Sequence, residues 1–219
     1  MSVDLHSLPA APWAAGLAAR LDAALSAARD RDGRPVLFAA AGGSTPTPVL
    51  EALALRAPAW AGIRVTATDE RLTDRADGRN LAMIARALPG APILDLAALA
   101  TDARPDVVLL GFGADRHVAS AFPAGEGMAA ARRLDPDAPT IVTATPDPLP
   151  AEAPFSRLTF TLGALAQAPS LFIAAKGAAK RGVFTAAHAE DPPVSPLALL
   201  LSTRTRLGLK TEAWFAEDA

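Results

Sequence analysis

The sequence predicts an α/β fold, a three-layer αβα sandwich around a mainly parallel sheet. Three observations predict it. Short continuous apolar runs, such as Pro35 to Ala41, have the length and hydrophobicity of strands buried on both faces. These runs alternate with helical patterns, which places helices on both faces of a parallel sheet. The chain has 219 residues, is 51% hydrophobic and has a mean hydropathy of +0.23, enough to bury a sizeable core. That length suits a single domain over 1–219.

The elements follow in order. Leu17, Leu21 and Leu25 recur at helical spacing in a pattern from Pro12 to Arg29, which Asp30, Asp32 and Gly33 end. After the strand at 35–41, Gly42 to Pro46 forms a loop, and Val49 to Leu55 is the next helix. Ile63 to Thr68 is a strand, Asp69 to Gly78 a polar loop and Asn80 to Leu88 a helix. Asp106 to Leu110 is a strand that leads into a glycine-rich turn and an apolar run from Val118 to Phe122. Thr140 to Ala144 and Leu171 to Ala175 are strands, and Ala178 to Ala187 is a helix. Glu212 to Phe215 closes the sheet. Pro146 to Pro154 and Pro192 to Pro196 read as loops, since apolar patterning resumes after each.

Composition narrows the chemistry. There is no Cys, so thiol nucleophiles, disulfides and Cys-ligated zinc are excluded. There is no Tyr, and the only histidines are His6, His117 and His188. A three-histidine metal site would need all of them, including one near a terminus expected to be mobile, so no metal site is expected. Lysines are Lys176, Lys180 and Lys210 alone. Proton transfer therefore falls to carboxylates, a histidine or one of three lysines. The formal net charge of -2 offers no long-range attraction to nucleic acid or an anionic membrane, but allows a local basic pocket. The uncharged stretch from Leu158 to Ala175 approaches membrane-spanning length, yet polar residues and Pro169 interrupt it, so it reads as buried strand, helix and strand. No basic residue precedes the apolar residues 8–19, so the expectation is a soluble, cytoplasmic protein.

In an open parallel sheet ligands bind where strands end and loops begin. Four loops qualify. Gly42, Gly43, Ser44 and Thr45 stand between a strand and a helix; they can cradle an anion with backbone N–H groups, or form a tight turn with Ser44 or Thr45 as helix cap. Asp69-Glu70-Arg71 sits at a strand end, where three charges must pair or stay solvated. Gly111-Phe112-Gly113-Ala114-Asp115-Arg116-His117 begins like a dinucleotide fingerprint, but Arg116 stands where its third Gly belongs. Asp115, two residues before His117, can orient that imidazole, although a lone histidine is often structural. Lys180 falls in the first turn of its helix, where a cation opposes the macrodipole unless an anion is near, and Arg157 can converge on the same anion.

Together and in order, these segments resemble the 6-phosphogluconolactonases, which share a fold with glucosamine-6-phosphate deaminases. Ala41 to Pro46 resembles the family's Gly-Gly-Ser-Thr-Pro loop, and Asp69-Glu70-Arg71 its Asp-Glu-Arg, with Asn80 opening the next helix. Leu110 to Pro123 is similar to Leu-Gly-x-Gly-x-Asp-Gly-His-x-Ala-Ser-x-Phe-Pro. Arg157 to Thr161, Gly177 with Lys180, and Trp214-Phe215 with Asp218-Ala219 continue the likeness. The resemblance implies a sugar-phosphate isomerase/lactonase-like fold. It also implies hydrolysis of a phosphorylated sugar lactone, the second step of the oxidative pentose phosphate pathway, by a monomer or homodimer. His117 would be the general base on water, Asp115 its support and Arg71 the stabiliser of negative charge. Gly42, Gly43, Ser44, Thr45, Asp69, Arg157 and Lys180 would hold substrate and phosphate, with no metal or organic cofactor required.

Phe122 precedes Pro123 where the deaminase branch has Glu, which favours the lactonase branch. Three residues depart from the pattern. Arg116 replaces a Gly, Arg79 replaces a Ser, and Pro196 stands where the family often has Arg. If position 116 requires a left-handed backbone, a non-Gly residue there costs about 1–2 kcal/mol. Arg79 or Arg116 would replace the lost charge near the phosphate, or both would point to solvent. The competing functions are another sugar-phosphate isomerase or deaminase on the same fold, and a non-catalytic sugar-phosphate binding protein.

Overall fold

The computed structural model describes residues 3–56 and 58–217. Asp218 and Ala219, which carry the end of the family likeness, lie outside the described residues. The strands are β1 (Val3–Leu8), β2 (Val36–Ala40), β3 (Ile63–Ala67), β4 (Asp69–Arg71), β5 (Val107–Leu110), β6 (Gly125–Glu126), β7 (Ile141–Pro146), β8 (Arg157–Phe160), β9 (Ser170–Lys176) and β10 (Thr211–Ala216). The helices are α1 (Ala10–Asp32), α2 (Thr47–Leu55), α3 (Asn80–Ala87), α4 (Met128–Ala131), α5 (Leu162–Ala166), α6 (Gly177–His188) and α7 (Pro196–Arg206).

Six strands form one parallel sheet in the order β1-β10-β9-β5-β2-β3. Its strands alternate between two cores, as the two-residue period of a strand requires. Val36, Phe38 and Ala40 of β2, with Val107 and Leu109 of β5, pack under α1, α2 and α3. Leu37 and Ala39, with Val108 and Leu110, face the other core, which α5, α6 and α7 complete. The expected layers and parallel sheet are therefore present. Helix α1 buries Trp13, Leu17, Leu21 and Leu25 along one stripe. Each such side chain contributes roughly 1.5–3 kcal/mol on full burial. Gly33 ends the helix with φ 65, a left-handed cap that glycine takes without a Cβ clash.

Four features depart from the sequence expectation. Asp69–Arg71 is a strand, not a loop, and starts a second, antiparallel sheet in the order β4-β8-β7-β6. The segment around His6 is not mobile chain but edge strand β1, paired to β10, with the His6 ring stacked 4.0 Å from Trp214. The apolar residues after Pro196 form α7, whose N-cap is Ser195, with its hydroxyl accepting from the Ala198 N–H. Neither Ser44 nor Thr45 caps α2, which starts at Thr47. Among the described residues no helix is long and apolar enough to cross a membrane.

Topology positions the site. From β2 the chain moves outward to β3, then returns to β5 on the opposite side of β2. The loops after β2 and β5 diverge at this switch, leaving a crevice at the carboxyl ends of the strands.

Candidate active site

A cavity of about 260 Å³ fills that crevice. The loop after β2, strand β4, the loop after β5, the start of β8 and the junction of β9 with α6 all contribute walls. It brings together Gly42, Gly43, Ser44, Thr45, Asp69, Arg71, His117, Arg157 and Lys180.

The glycine loop has two steric requirements. A Cβ at Gly42 would fall 2.5 Å from Asn80 Oδ1, and Gly43 has φ +105, which L side chains rarely adopt. The loop is fastened by Thr47 Oγ1 donating to Gly43 O at 2.8 Å and Lys176 Nζ donating to Ser44 O at 3.0 Å.

Strand alternation puts Asp69 and Arg71 on the cavity side of β4 and Glu70 on the opposite side. Asp69 is buried and accepts from Ser120 Oγ at 2.6 Å and Thr68 Oγ1 at 3.2 Å. Glu70, only 2% exposed, accepts from the backbone N–H groups of Arg71, Asn80 and Leu81, so it caps the start of α3. Arg71 reaches the cavity and donates to Gly78 O at 2.8 Å, while its buried Nε has no hydrogen-bond partner among the described residues. Its cross-strand partner is Arg157, a buried residue whose Nε is likewise unpartnered among the described residues. Burial pushes the Arg157 guanidinium below the usual arginine range; Asp69, 3.8 Å away, opposes that shift and Arg71 reinforces it. A buried Arg157 and a half-buried Arg71, opposed across the two strands, make a place for an anion.

Lys180 lies in the first turn of α6, as its sequence position suggested, and donates to Phe112 O at 2.6 Å. Burial lowers its pKa below the usual lysine range, with Asp115 opposing.

His117 Nδ1 is 2.6 Å from Asp115 Oδ1. The hydrogen bond from His117 holds Asp115 below the usual carboxylate range against the opposing effect of burial. An ionised carboxylate only accepts, so the contact favours the tautomer that carries its proton on Nδ1 and leaves the Nε2 lone pair unprotonated. The ring stacks on Phe122 at 4.2 Å, and the Arg157 guanidinium lies 5.2 Å from the same phenyl ring. A Cβ at Gly113 would fall 2.2 Å from both Asp115 Oδ1 and His117 Nδ1, so the pair sits on the space that this glycine leaves.

Arg79 and Arg116 are not brought to the cavity, nor do they point freely to solvent. Arg79 pairs with Asp95 at 2.7 Å and lies 3.5 Å from Glu70. Arg116 has φ 68, so the departure from glycine does meet a left-handed backbone, and its Nη1 is 2.6 Å from Glu190. Each finds a carboxylate that competes with any phosphate for its charge.

Asn80, which the sequence marks only as the start of a helix, also has a side chain that lines the cavity and donates to Asp69 O at 2.8 Å. The Ser120 bond to Asp69 and the Lys176 tie to the glycine loop have no counterpart among the sequence expectations. A hydroxyl inside the apolar run 118–122 was the available signal for Ser120.

The sequence profile of the family described as glucosamine-6-phosphate isomerases/6-phosphogluconolactonase matches residues 10–95 and 93–208. The 6-phosphogluconolactonase of Rhizobium meliloti is 35% identical over 92% of this chain and 94% of its own. That of Caulobacter vibrioides is 32% identical over 81% of this chain and 83% of its own. A crystal structure from Neisseria gonorrhoeae aligns with a TM-score of 0.78 at 26% identity, over 98% of this chain and 99% of its own. A 6-phosphogluconolactonase from Shewanella baltica aligns with a TM-score of 0.79 at 23% identity, over 99% and 98%, and supports the fold.

Proposed function

Since the chain belongs to the glucosamine-6-phosphate isomerase/6-phosphogluconolactonase family, we propose that it hydrolyses 6-phospho-D-glucono-1,5-lactone to 6-phosphogluconate. The observation that carries this reading is His117, held at 2.6 Å by Asp115 behind it, on the wall of a cavity that also holds Arg71, Arg157 and Lys180. Phe122 supports hydrolysis over deamination, because it leaves no carboxylate at the position before Pro123.

In this mechanism Nε2 of neutral His117 accepts a proton from water as the water oxygen attacks the lactone carbonyl. A C–O bond forms and the carbonyl oxygen becomes an alkoxide, which Arg71 stabilises. The intermediate collapses by breaking the bond to the ring oxygen, and His117 returns its proton to that leaving oxygen. The product is an open-chain acid with a free hydroxyl. Asp115 holds the imidazole in the competent tautomer throughout. The 42–45 loop, Arg157 and Lys180 bind the 6-phosphate, assisted by Asp69, which fixes Arg157. This reading takes 1–219 as a single domain, active in the cytoplasm as a monomer or homodimer, in the second step of the oxidative pentose phosphate pathway.

The test is hydrolysis of enzymatically generated 6-phosphogluconolactone, corrected for its spontaneous rate, by wild type and His117→Ala. The wild type accelerates it and the variant does not; equal rates overturn the mechanism.

A further inference from the structure

Arg116 immediately precedes the general base of the proposed reaction and holds φ 68, a conformation natural to glycine and rare for a residue with a side chain. Three contacts keep it there. Its N–H donates to Gly113 O at 3.1 Å, its carbonyl accepts from Leu197 N–H at 3.1 Å, and its guanidinium donates to Glu190 Oε2 at 2.6 Å. The first two are backbone bonds that any residue at 116 would make. The third belongs to this side chain.

Glu190 is itself immobilised. Its Oε1 accepts from the backbone N–H groups of Val194 and Ser195, both at 2.6 Å, and its Oε2 accepts from Ser195 Oγ at 2.9 Å. It therefore links the end of α6, the start of α7 and the backbone beside His117 through one carboxylate. A charged, four-donor anchor of this kind is rigid where a solvated glutamate is not. The carboxylate and guanidinium line a separate surface cleft with Arg132 and Pro196, not the catalytic cavity. Asp115 lines the same cleft, so their contact acts on the reaction through the 115–117 backbone that carries Asp115 and His117.

We propose that Glu190 is a positioning residue for His117: its ion pair with Arg116 holds the left-handed backbone that aims the imidazole. Position 116 then tolerates arginine because the side chain supplies the restraint that offsets its conformational cost. The proposal rests on the reading of His117 as general base, and its test separates the two.

Without the carboxylate, Arg116 is left in a strained conformation with nothing to hold its head. Glu190→Ala is expected to lower kcat by about tenfold to a hundredfold, the scale of a sub-ångström to 1 Å misplacement, with KM within twofold. Glycine needs no restraint at positive φ, so adding Arg116→Gly to Glu190→Ala should restore most of kcat. Glu190→Gln, which keeps the acceptor for the two N–H groups but loses the negative charge that faces Arg116, should fall in between and covers the case in which Glu190→Ala does not fold. An unchanged kcat, a loss confined to KM, or a loss that Arg116→Gly does not rescue overturns the proposal. Wild type without turnover above the spontaneous rate would overturn the lactonase reading instead. The imidazole NMR signals then decide the positioning claim alone, since only three histidines contribute. His117 resonances, assigned with His117→Gln, should shift in Glu190→Ala and return in the double variant; static resonances overturn it.

Discussion

His117 and Asp115 share a 2.6 Å contact through Nδ1 and Oδ1, and the same carboxylate oxygen also accepts from the His117 backbone N–H at 3.2 Å. One acceptor thus fixes both the tautomer of the ring and the turn that presents it. Asp115→Asn keeps the shape and removes the obligate acceptor, so the ring can bind with its tautomer reversed. The expected loss in kcat is about a hundredfold or more. Stability should change little, because the Asp115 side chain is nearly half exposed and ion pairs of that kind contribute little. Steady-state kinetics with a melting curve check both parts; an unchanged kcat would show that the carboxylate plays no part in the reaction.

Gly113 makes that contact sterically possible. Alanine there would put a Cβ 2.2 Å from both partner atoms, closer than any relaxed contact. The pair must separate or the turn must move. Gly113→Ala should therefore lose at least tenfold in kcat, the scale of a displaced catalytic group, and about 1–3 kcal/mol of stability, typical of overpacking. Gly182 is the control: a Cβ there meets no atom of the described residues within 4 Å, so Gly182→Ala should leave kcat unchanged.

How much of this was legible depended on where each residue's partner lies in the chain. Strands β2, β5 and β9 were readable because burial on both faces makes them continuously apolar. Strand β4 was not, since Asp-Glu-Arg looks solvated until Ser120, the start of α3 and Arg157 supply tertiary partners. Helix α7 had its start signals, Ser195 as cap and Pro196 in the first turn, but they were hidden in a run of prolines. The cavity's loops were readable in order, because the topology gathers strand ends. The destinations of Arg79 and Arg116 were not, because their carboxylates stand 16 and 74 residues away. Local sequence reveals a charge but not the distant group that claims it.

Arg71 and Arg157 are opposed across β4 and β8, and like charges so placed repel. An anion between them and Lys180 relieves that repulsion and supplies missing acceptors. Saturating 6-phosphogluconate, at about a hundred times its Kd, should raise Tm by roughly 5–10 °C. Arg157→Met and Lys180→Met should each weaken this binding about tenfold or more, since each removes a charged hydrogen-bond donor. Thermal shift titrations decide it; an unshifted wild-type Tm would remove the case for an anion site in this cavity.

Glu190 gives a pH dependence whose sign can be worked out. Burial would raise its pKa, but the hydrogen bonds from Ser195, Val194 and Arg116 outweigh it and bring the carboxyl from 4.5 down to about 2. A carboxyl depressed on folding binds more protons when unfolded, so stability rises with pH through this window. The contribution is complete above about 4.5 and disappears as pH falls toward 2. Glu190→Gln removes the titration but keeps an acceptor. The stability gap between wild type and Glu190→Gln should therefore be constant from pH 7 to 5, narrow below 4.5 and close near 2. Urea midpoints measured across that range test it. A gap that persists undiminished at pH 2 would mean that Glu190 stabilises the 189–196 segment by packing rather than by its charge.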